Sequence, residues 1–490
     1  MKRNYVLIPI GGNGKKIELS PLTVTENGVY TAEEDKGYSE VSVNVPKTDV
    51  SVVSKVDSVK VLGYTNLQAN IYVASNKTIS SCGVEVSETS DFAEVVSYTS
   101  ANNSNGTKNI HITGLTPNTT YYIRSFVVVN GNNYNQEPFN TSTTIATPAV
   151  PENIPATATK MVTANTDVVN LKFKDKSPNE IVYIDWGDGA ENGSQIPANT
   201  SYGSSGTILS HNYSEVGVYD VYIWSESNTD TTYGKMPAFY QGTNGNDMKI
   251  ARIETPLQNV YNGSSKVEST TQYALSTAFR GCTSLEYVCP TLLENVHYYS
   301  NGNCIASGAC YASMFRDCTS LTTAPELPTT MLISGSTSDG CYQYMFRDCT
   351  SLTTAPELPA TTLAQNCYNG MFQDCKSLTT APELPATTLK NNCYNNMFKD
   401  CTSLTAAPEL PATTLASDCY DNMFYGCRNL QSVTTYATNW NTSSASNWLS
   451  GAGTSATNPT IYCPANSTIK NYTGSDSGIP AGWTQVDLTE

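Results

Sequence analysis

The sequence predicts a mostly β, multidomain protein: a small N-terminal β module, two β-sandwiches, and a C-terminal repeat solenoid with short helices and short parallel strands. Three observations carry that prediction. The chain has 490 residues, more than one core of about 100–200 residues accounts for. Its first half is filled by short runs of alternating apolar and polar residues, separated by Asn-Gly, Asp-Gly and Pro turn signals. In its second half a Cys-initiated block recurs at a 26-residue step.

Composition narrows the function classes. Acidic residues number 43 against 27 Lys and Arg, a net charge of −16. With no basic cluster to offset it, this balance argues against a nucleic acid or an anionic membrane surface as direct partner. Hydrophobic residues at 39% and 31 tyrosines argue against disorder. Three histidines without paired spacing leave little material for common zinc sites or histidine-based catalysis. No apolar run reaches 18 residues, so no membrane insertion is expected. The run Tyr5–Ile10 is shorter than a signal peptide's apolar segment, which implies synthesis without ordinary export.

Residues 1–48 read as a small β unit. Leu22–Tyr30 alternates around Asn27-Gly28, and Tyr38–Val45 alternates again. A unit this short cannot bury a large core, so it should pack on another protein or a neighbouring copy. The motif TVTENGVY followed by GYSEVSVNV resembles modules found in bacteriophage tail and other structural proteins. The resemblance implies attachment to other virion proteins.

Residues 51–147 carry short alternating strands, among them Leu67–Val73, as an antiparallel sandwich requires. Leu115-Thr-Pro-Asn-Thr-Thr-Tyr121-Tyr-Ile-Arg124 resembles the fibronectin type III pattern, with Tyr121 in place of that family's corner tyrosine. The family's strand-B Trp is missing here. The resemblance implies an immunoglobulin-like spacer. Thr147–Pro155 is Pro-rich and expected to be a semi-rigid connector.

Residues 152–232 contain the strand Ile181–Trp186, ending in Gly187-Asp188-Gly189, then His211-Asn-Tyr213 and Gly217–Ile223. These motifs, in this order, resemble the PKD-type immunoglobulin-like domain. Asp185, Asp188 and Glu191 crowd one loop and are candidate Ca²⁺ ligands through hard oxygen donors; a turn with solvated carboxylates is the simpler reading.

Residues 248–490 hold the repeats. Units begin at Cys310, Cys341, Cys367, Cys393 and Cys419, and a degenerate copy surrounds Cys282. Within a unit, Cys367, Met371, Cys375 and Leu378 fall on one face of a short helix, with Asn366, Asn392 and Asp418 as N-caps. Leu378–Ala381 should be a short strand, and Pro382 and Pro385 should end its pairing. Fifteen cysteines, ten of them in two columns of five repeats, are explained by small apolar side chains filling a repetitive core as free thiols. Glu326, Glu357, Glu383 and Glu409 recur in Pro-Glu-Leu-Pro turns, forming a solvated ridge or a partner-binding one. Thr322, Thr353 and Thr379, each followed by a second Thr, stabilise a strand ladder or present a polar face to glycans.

The recurring core Met-Phe-x-x-Cys-x-x-Leu resembles the BspA-type leucine-rich repeats of bacterial surface proteins and phages. The resemblance implies a solenoid, capped by Asn458–Trp483, that binds through a surface and does not catalyse. P-loop, Gly-x-Ser-x-Gly, His-Glu-x-x-His, EF-hand and dinucleotide motifs are absent.

The expected protein is therefore a non-enzymatic structural and adhesion component of a phage virion, without cofactors, at the virion surface after synthesis in the host cytoplasm. Its solenoid would face host-surface or mucus glycan or protein, and homo-oligomers fit this picture. The alternatives are a BspA-type adhesin at the bacterial cell surface and, less favoured, a glycan-degrading enzyme.

Overall fold

The computed structural model describes residues 29–30, 43–44, 51–135, 145–152, 154–174, 181–188, 194–196, 207–225, 238–239, 248–257, 275–294, 299–300, 303–307, 310–327, 331–333, 340–441, 443–475 and 477–488. Almost every element is a strand. Among the described residues the one helix is a 3₁₀ segment, Thr468–Tyr472. At the N-terminal end β1 (Val29–Tyr30) pairs antiparallel with β2 (Val43–Asn44), joining the two alternating runs. The rest of the expected N-terminal module lies outside the described residues.

The next eight strands are β3 (Val52–Gly63), β4 (Asn66–Ser75), β5 (Ile79–Ser87), β6 (Val96–Thr99), β7 (Gly106–Ile112), β8 (Thr120–Val129), β9 (Asn132–Asn135) and β10 (Ile145–Ala146). They form two antiparallel sheets, β3-β4-β7 and β10-β8-β5-β6, with β9 also on β8. Period-two alternation turns Leu67, Ala69, Ile71 and Val73 inward, against Val84 and Val86 of β5 and Ile123, Val127 and Val129 of β8. The Tyr121 hydroxyl accepts a hydrogen bond from the Thr116 N–H at 2.8 Å, tying the loop before β8 to that strand.

A second pair of sheets follows, built from β11 (Thr159–Thr163), β12 (Thr166–Lys174), β13 (Val182–Asp185), β14 (Ser194–Ile196), β15 (Thr207–Gly217), β16 (Asp220–Ser225), β17 (Ala238–Phe239), β18 (Ile250–Ile253) and β19 (Tyr287–Val288). The sheet orders are β14-β13-β16-β11-β18-β19 and β15-β12-β17. Here β18 pairs antiparallel with β11, Met161 opposite Ile253, and β19 pairs parallel with β18, Ile253 opposite Val288. One hydrogen-bonded sheet therefore runs from the second sheet pair into the first repeat. The hydrophobic core does the same, from Leu171 and Trp186 to Leu285 and Phe279.

The Pro-rich connector is folded onto its neighbours. Ile154 N–H bonds to Pro151 O and Ala158 N–H to Pro155 O, two tight turns. They seat Ile154 among Tyr64, Tyr222 and Trp224. An isolated Pro-rich stretch prefers to extend; burial of Ile154 outweighs that preference here.

The C-terminal part is a β-solenoid. Its remaining strands are β20 (Tyr299–Ser300), β21 (Asn303–Ser307), β22 (Met331–Ile333), β23 (Ala406–Leu410), β24 (Ser432–Thr435), β25 (Thr460–Pro464) and β26 (Thr484–Leu488). β21 pairs parallel with β22, and β23-β24-β25-β26 form a parallel sheet. Parallel bridges link Thr354 to Thr380 and Thr380 to Ala406. Of the expected strand Leu378–Ala381 only Thr380 makes a ladder bridge, and no pairing continues through Pro382 and Pro385; one coil on, however, pairing runs past Pro408 inside β23. A register shift between Ala406 and Glu409 accommodates the missing N–H.

The expected short helices are not formed, and this corrects the reading of the Cys-Met-Cys face. The segment from Asn366 is a ladder of tight turns repeating every four residues. Asn366, Gly370 and Asp374 take left-handed φ of 58°, 58° and 61°. Half of the N–H groups close turns, as Met371 N–H does to Tyr368 O and Cys375 N–H to Phe372 O. The alternate ones reach the following coil: Tyr368 N–H bonds to Cys393 O, Gly370 N–H to Asn395 O and Phe372 N–H to Met397 O. A helix would consume these donors within its own segment, leaving none to join coils. Asn366, Asn392 and Asp418 are accordingly not N-caps but the first left-handed residues of each ladder, with φ of 58°, 55° and 53°. Asn, Asp and Gly are the residues that tolerate this region.

Each ladder places its inward side chains directly over those of its neighbour. Phe279, Phe315, Phe346, Phe372, Phe398 and Phe424 stack with ring centroids 5.6–5.7 Å apart. A parallel column runs through Tyr311, Tyr342, Tyr368, Tyr394 and Tyr420. The second cysteine column serves the backbone: the thiols of Cys349, Cys375, Cys401 and Cys427 donate to the carbonyls of Phe315, Phe346, Phe372 and Phe398 at 3.0–3.1 Å. These cysteines are free and fully buried, as are those of the first column, where burial pushes the pKa of Cys367 up to about 12. At the far end Trp448 and Trp440 close the stack, their indole N–H groups donating to Gly478 O and Ser477 O.

Candidate functional site: the threonine and glutamate face of the solenoid

The residues singled out on the repeats share one exposed side of the solenoid. In each Pro-Glu-Leu-Pro turn, Leu358, Leu384 and Leu410 are buried, while Glu357, Glu383 and Glu409 between Pro and Leu are exposed. Alternation with period two forces this, since an extended backbone points successive side chains to opposite faces. The bridges from Thr354 through Thr380 to Ala406 bring these three carboxylates into register, each three residues further on. Glu326 joins the row through Thr322, four residues before it, whose carbonyl accepts the N–H of Thr353, four residues before Glu357, at 3.5 Å.

Two of the four, Glu326 and Glu357, line a groove of about 500 Å³ walled by Pro290, Pro325, Pro356 and Pro359. Glu294 completes its acidic lining. Sequence reasoning missed Glu294, which lies in the degenerate copy where the Pro-Glu-Leu-Pro pattern is lost. Glu383 and Glu409 are exposed further along and do not line the groove.

The threonines form the adjoining row. Thr322, Thr353 and Thr379 are exposed. Thr322 donates both its N–H (3.0 Å) and its hydroxyl (2.9 Å) to Glu286 O, and the Thr405 N–H and hydroxyl repeat the pattern on Thr379 O at 3.2 and 3.3 Å. The hydroxyl hydrogens of Thr322, Thr353 and Thr405 are spent on the ladder. What they turn outward is oxygen lone pairs and methyl groups. Together the two rows present carboxylate and hydroxyl oxygens as acceptors. Such a surface pairs with a partner that brings N–H or O–H donors.

The acidic loop is arranged differently. Asp185 accepts from Gly187 N–H at 2.8 Å and from the Tyr64 hydroxyl at 3.1 Å. Burial raises its pKa. Asp188 lies 2.8 Å from His211 Nε2, whose ring stacks on Trp186 at 5.0 Å. Glu191 lies outside the described residues. Asp185 thus fastens the β3–β4 hairpin of the first sheet pair to the second, a role invisible in the loop's own sequence. Among the described residues no group of three or more His, Cys, Asp or Glu is placed to hold a metal. No described helix is long and apolar enough to cross a membrane.

No protein-family model and no curated protein matches this chain. The fold and face define a protein of stacked β modules ending in a β-solenoid with an acceptor-rich side.

Proposed function

We propose that this chain is a non-enzymatic adhesion and structural protein of a bacteriophage virion, attached through its N-terminal β module and presenting the solenoid outward to a host-surface or mucus glycan or protein. The observation that carries the reading is the row of Thr and Glu side chains repeated coil by coil on one exposed face. Repetition of weak, identical contacts suits multivalent docking on a repetitive partner, where effective concentration multiplies modest affinities. The unbroken sheet from β11 through β18 to β19 supports a stiff stalk rather than a hinged one. The two sheet pairs before it serve as fibronectin type III-like and PKD-like spacers.

Mass spectrometry and immunogold imaging of purified virions test this. Detection at the particle surface, lost on deleting residues 1–48 while the solenoid still folds, is the expected result. Absence from particles together with labelling of bacterial cells would move the protein to the cell-surface adhesin class.

A further inference from the structure

A second cleft, of about 550 Å³, opens where the β3–β4 hairpin, the second sheet pair and the first repeat meet. It shares no residue with the proline-walled groove on the solenoid face, although the Glu286 carbonyl also takes the Thr322 hydrogen bonds of the threonine row. Its lining includes Asn66, Lys160, Asp220, Glu254, Glu286 and Ser320, contributed by all three parts of the chain. Junctions between modules are a common place for small-ligand sites.

At its base the hairpin docks on a buried carboxylate. Thr65 gives both its N–H, at 3.2 Å, and its hydroxyl to Asp220 Oδ2. The next residue, Asn66, is 1% exposed and its Nδ2 has no hydrogen-bond partner in the protein. Asp220 is 0% exposed, and its Oδ1 likewise makes no hydrogen bond, with Lys160 Nζ standing 3.5 Å away as an ion pair. Among the residues lining the cleft, an amide donor and a carboxylate oxygen held only by an ion pair are thus left without a hydrogen bond, at a cost that native folds seldom leave uncompensated.

Around them three carboxylates, Asp220, Glu254 and Glu286, stand against two cations, Lys160 and Arg252, so that the charges nearly balance. Lys160 sits between Asp220 and Glu254, 2.8 Å from the latter, and Glu254 also takes Arg252 Nε at 3.2 Å. An anion would meet the carboxylates and a cation would meet Lys160 and Arg252, so neither is favoured. The rest of the lining mixes hydroxyl and amide groups, including Thr113, Asn165 and Ser320, with the apolar Val162, Ala164, Val218 and Ala251, a mixture that suits the polar edge and apolar face of a sugar ring. A hydroxyl is an uncharged group that accepts and donates through a single atom, as Asn66 and Asp220 together require. We infer that this cleft is a binding site for a neutral saccharide unit, one or two sugar rings in size, distinct from the solenoid face.

The test is titration of the full chain with a panel of glucose, galactose, mannose, N-acetylglucosamine, lactose and cellobiose, read by saturation-transfer NMR and calorimetry. At least one sugar should bind. Asn66→Leu, which removes the floor donor, and Glu286→Ala, on the exposed opposite wall, should each weaken it by about tenfold, the worth of one hydrogen bond to a charged or buried group. Lys77→Ala, on a remote exposed turn, should leave it unchanged. Glu286→Ala keeps the test open if Asn66→Leu fails to fold. Binding by no member of the panel, or undiminished binding in both cleft variants, would overturn the assignment and leave the cleft to water. Whether the protein sits on a particle does not enter this readout, so the two readings fail separately.

Discussion

In the first pair of sheets, Ile71 of β4 and Val127 of β8 share a core although more than fifty positions separate them. In the solenoid, Phe372 touches its own counterparts, Phe346 and Phe398, one coil away on either side. The first core closes only when every strand is in place. The second is a sum of nearest-neighbour contacts that can be lengthened or broken at any coil. Chemistry differs as well: Cys82 is the one thiol in the first core, whereas the two columns of the solenoid bury ten.

The sharpest way to separate the regions is alkaline pH. Burial favours the neutral thiol, so the folded solenoid keeps protons that the unfolded chain releases above the usual thiol range of about 8.5. Stability from this source is complete below that range and lost as pH rises through it toward folded values of about 12 at Cys367 and Cys419. Each such thiol withdraws at most about 1.4 kcal/mol per pH unit in that window, and nine column thiols are shifted in this direction by burial. Hydrogen exchange followed from pH 8 to 11 should show the solenoid opening well before the first sheet pair. Simultaneous loss in both would break the contrast.

Next in size is Phe372→Ala, expected to cost about 3–5 kcal/mol through the cavity it leaves in a fully buried stack. Exchange protection should fall in the coils of Phe346 and Phe398 and hold in β4 and β8. Uniform loss across the chain would show that the solenoid is not built from nearest neighbours. Gly370→Ala should cost about 1–3 kcal/mol in thermal unfolding. Its φ of 58° disfavours a side chain, and an added Cβ would lie 2.4 Å from the Tyr344 ring. The smallest effect expected is that of Tyr121→Phe, about 1–2 kcal/mol, from the lost acceptor for Thr116 N–H. That loss should be confined to the first pair of sheets; a change in solenoid melting would argue for tighter coupling than described.

The stacking of repeats and the β character of the first half were legible in sequence, because a fixed period and alternation are direct imprints of packing. Helix against turn ladder was not. Apolar residues at Cys367, Met371, Cys375 and Leu378 match a period of 3.6 about as well as 4.0 over so short a span. The signal that separates them is polar rather than apolar: Asn, Gly and Asp at 366, 370 and 374, then Asn, Asn and Asp at 392, 396 and 400. Such residues at every fourth position mark left-handed backbone. The exposed Glu and Thr rows followed from alternation alone. The docking of Tyr64 and Thr65 on Asp185 and Asp220 could not have, since the partners lie more than a hundred residues apart and carry no shared pattern.

The ring columns carry a consequence at the level of heredity. Each coil from Tyr311 to Tyr420 offers its neighbours the same Tyr, Phe and Cys, so excising or duplicating one 26-residue stretch among them hands each remaining side chain an equivalent mate. Near-identical coding segments invite misaligned recombination, and here its products would still fold. Reach can therefore drift from one lineage to the next while the architecture at both ends stays untouched.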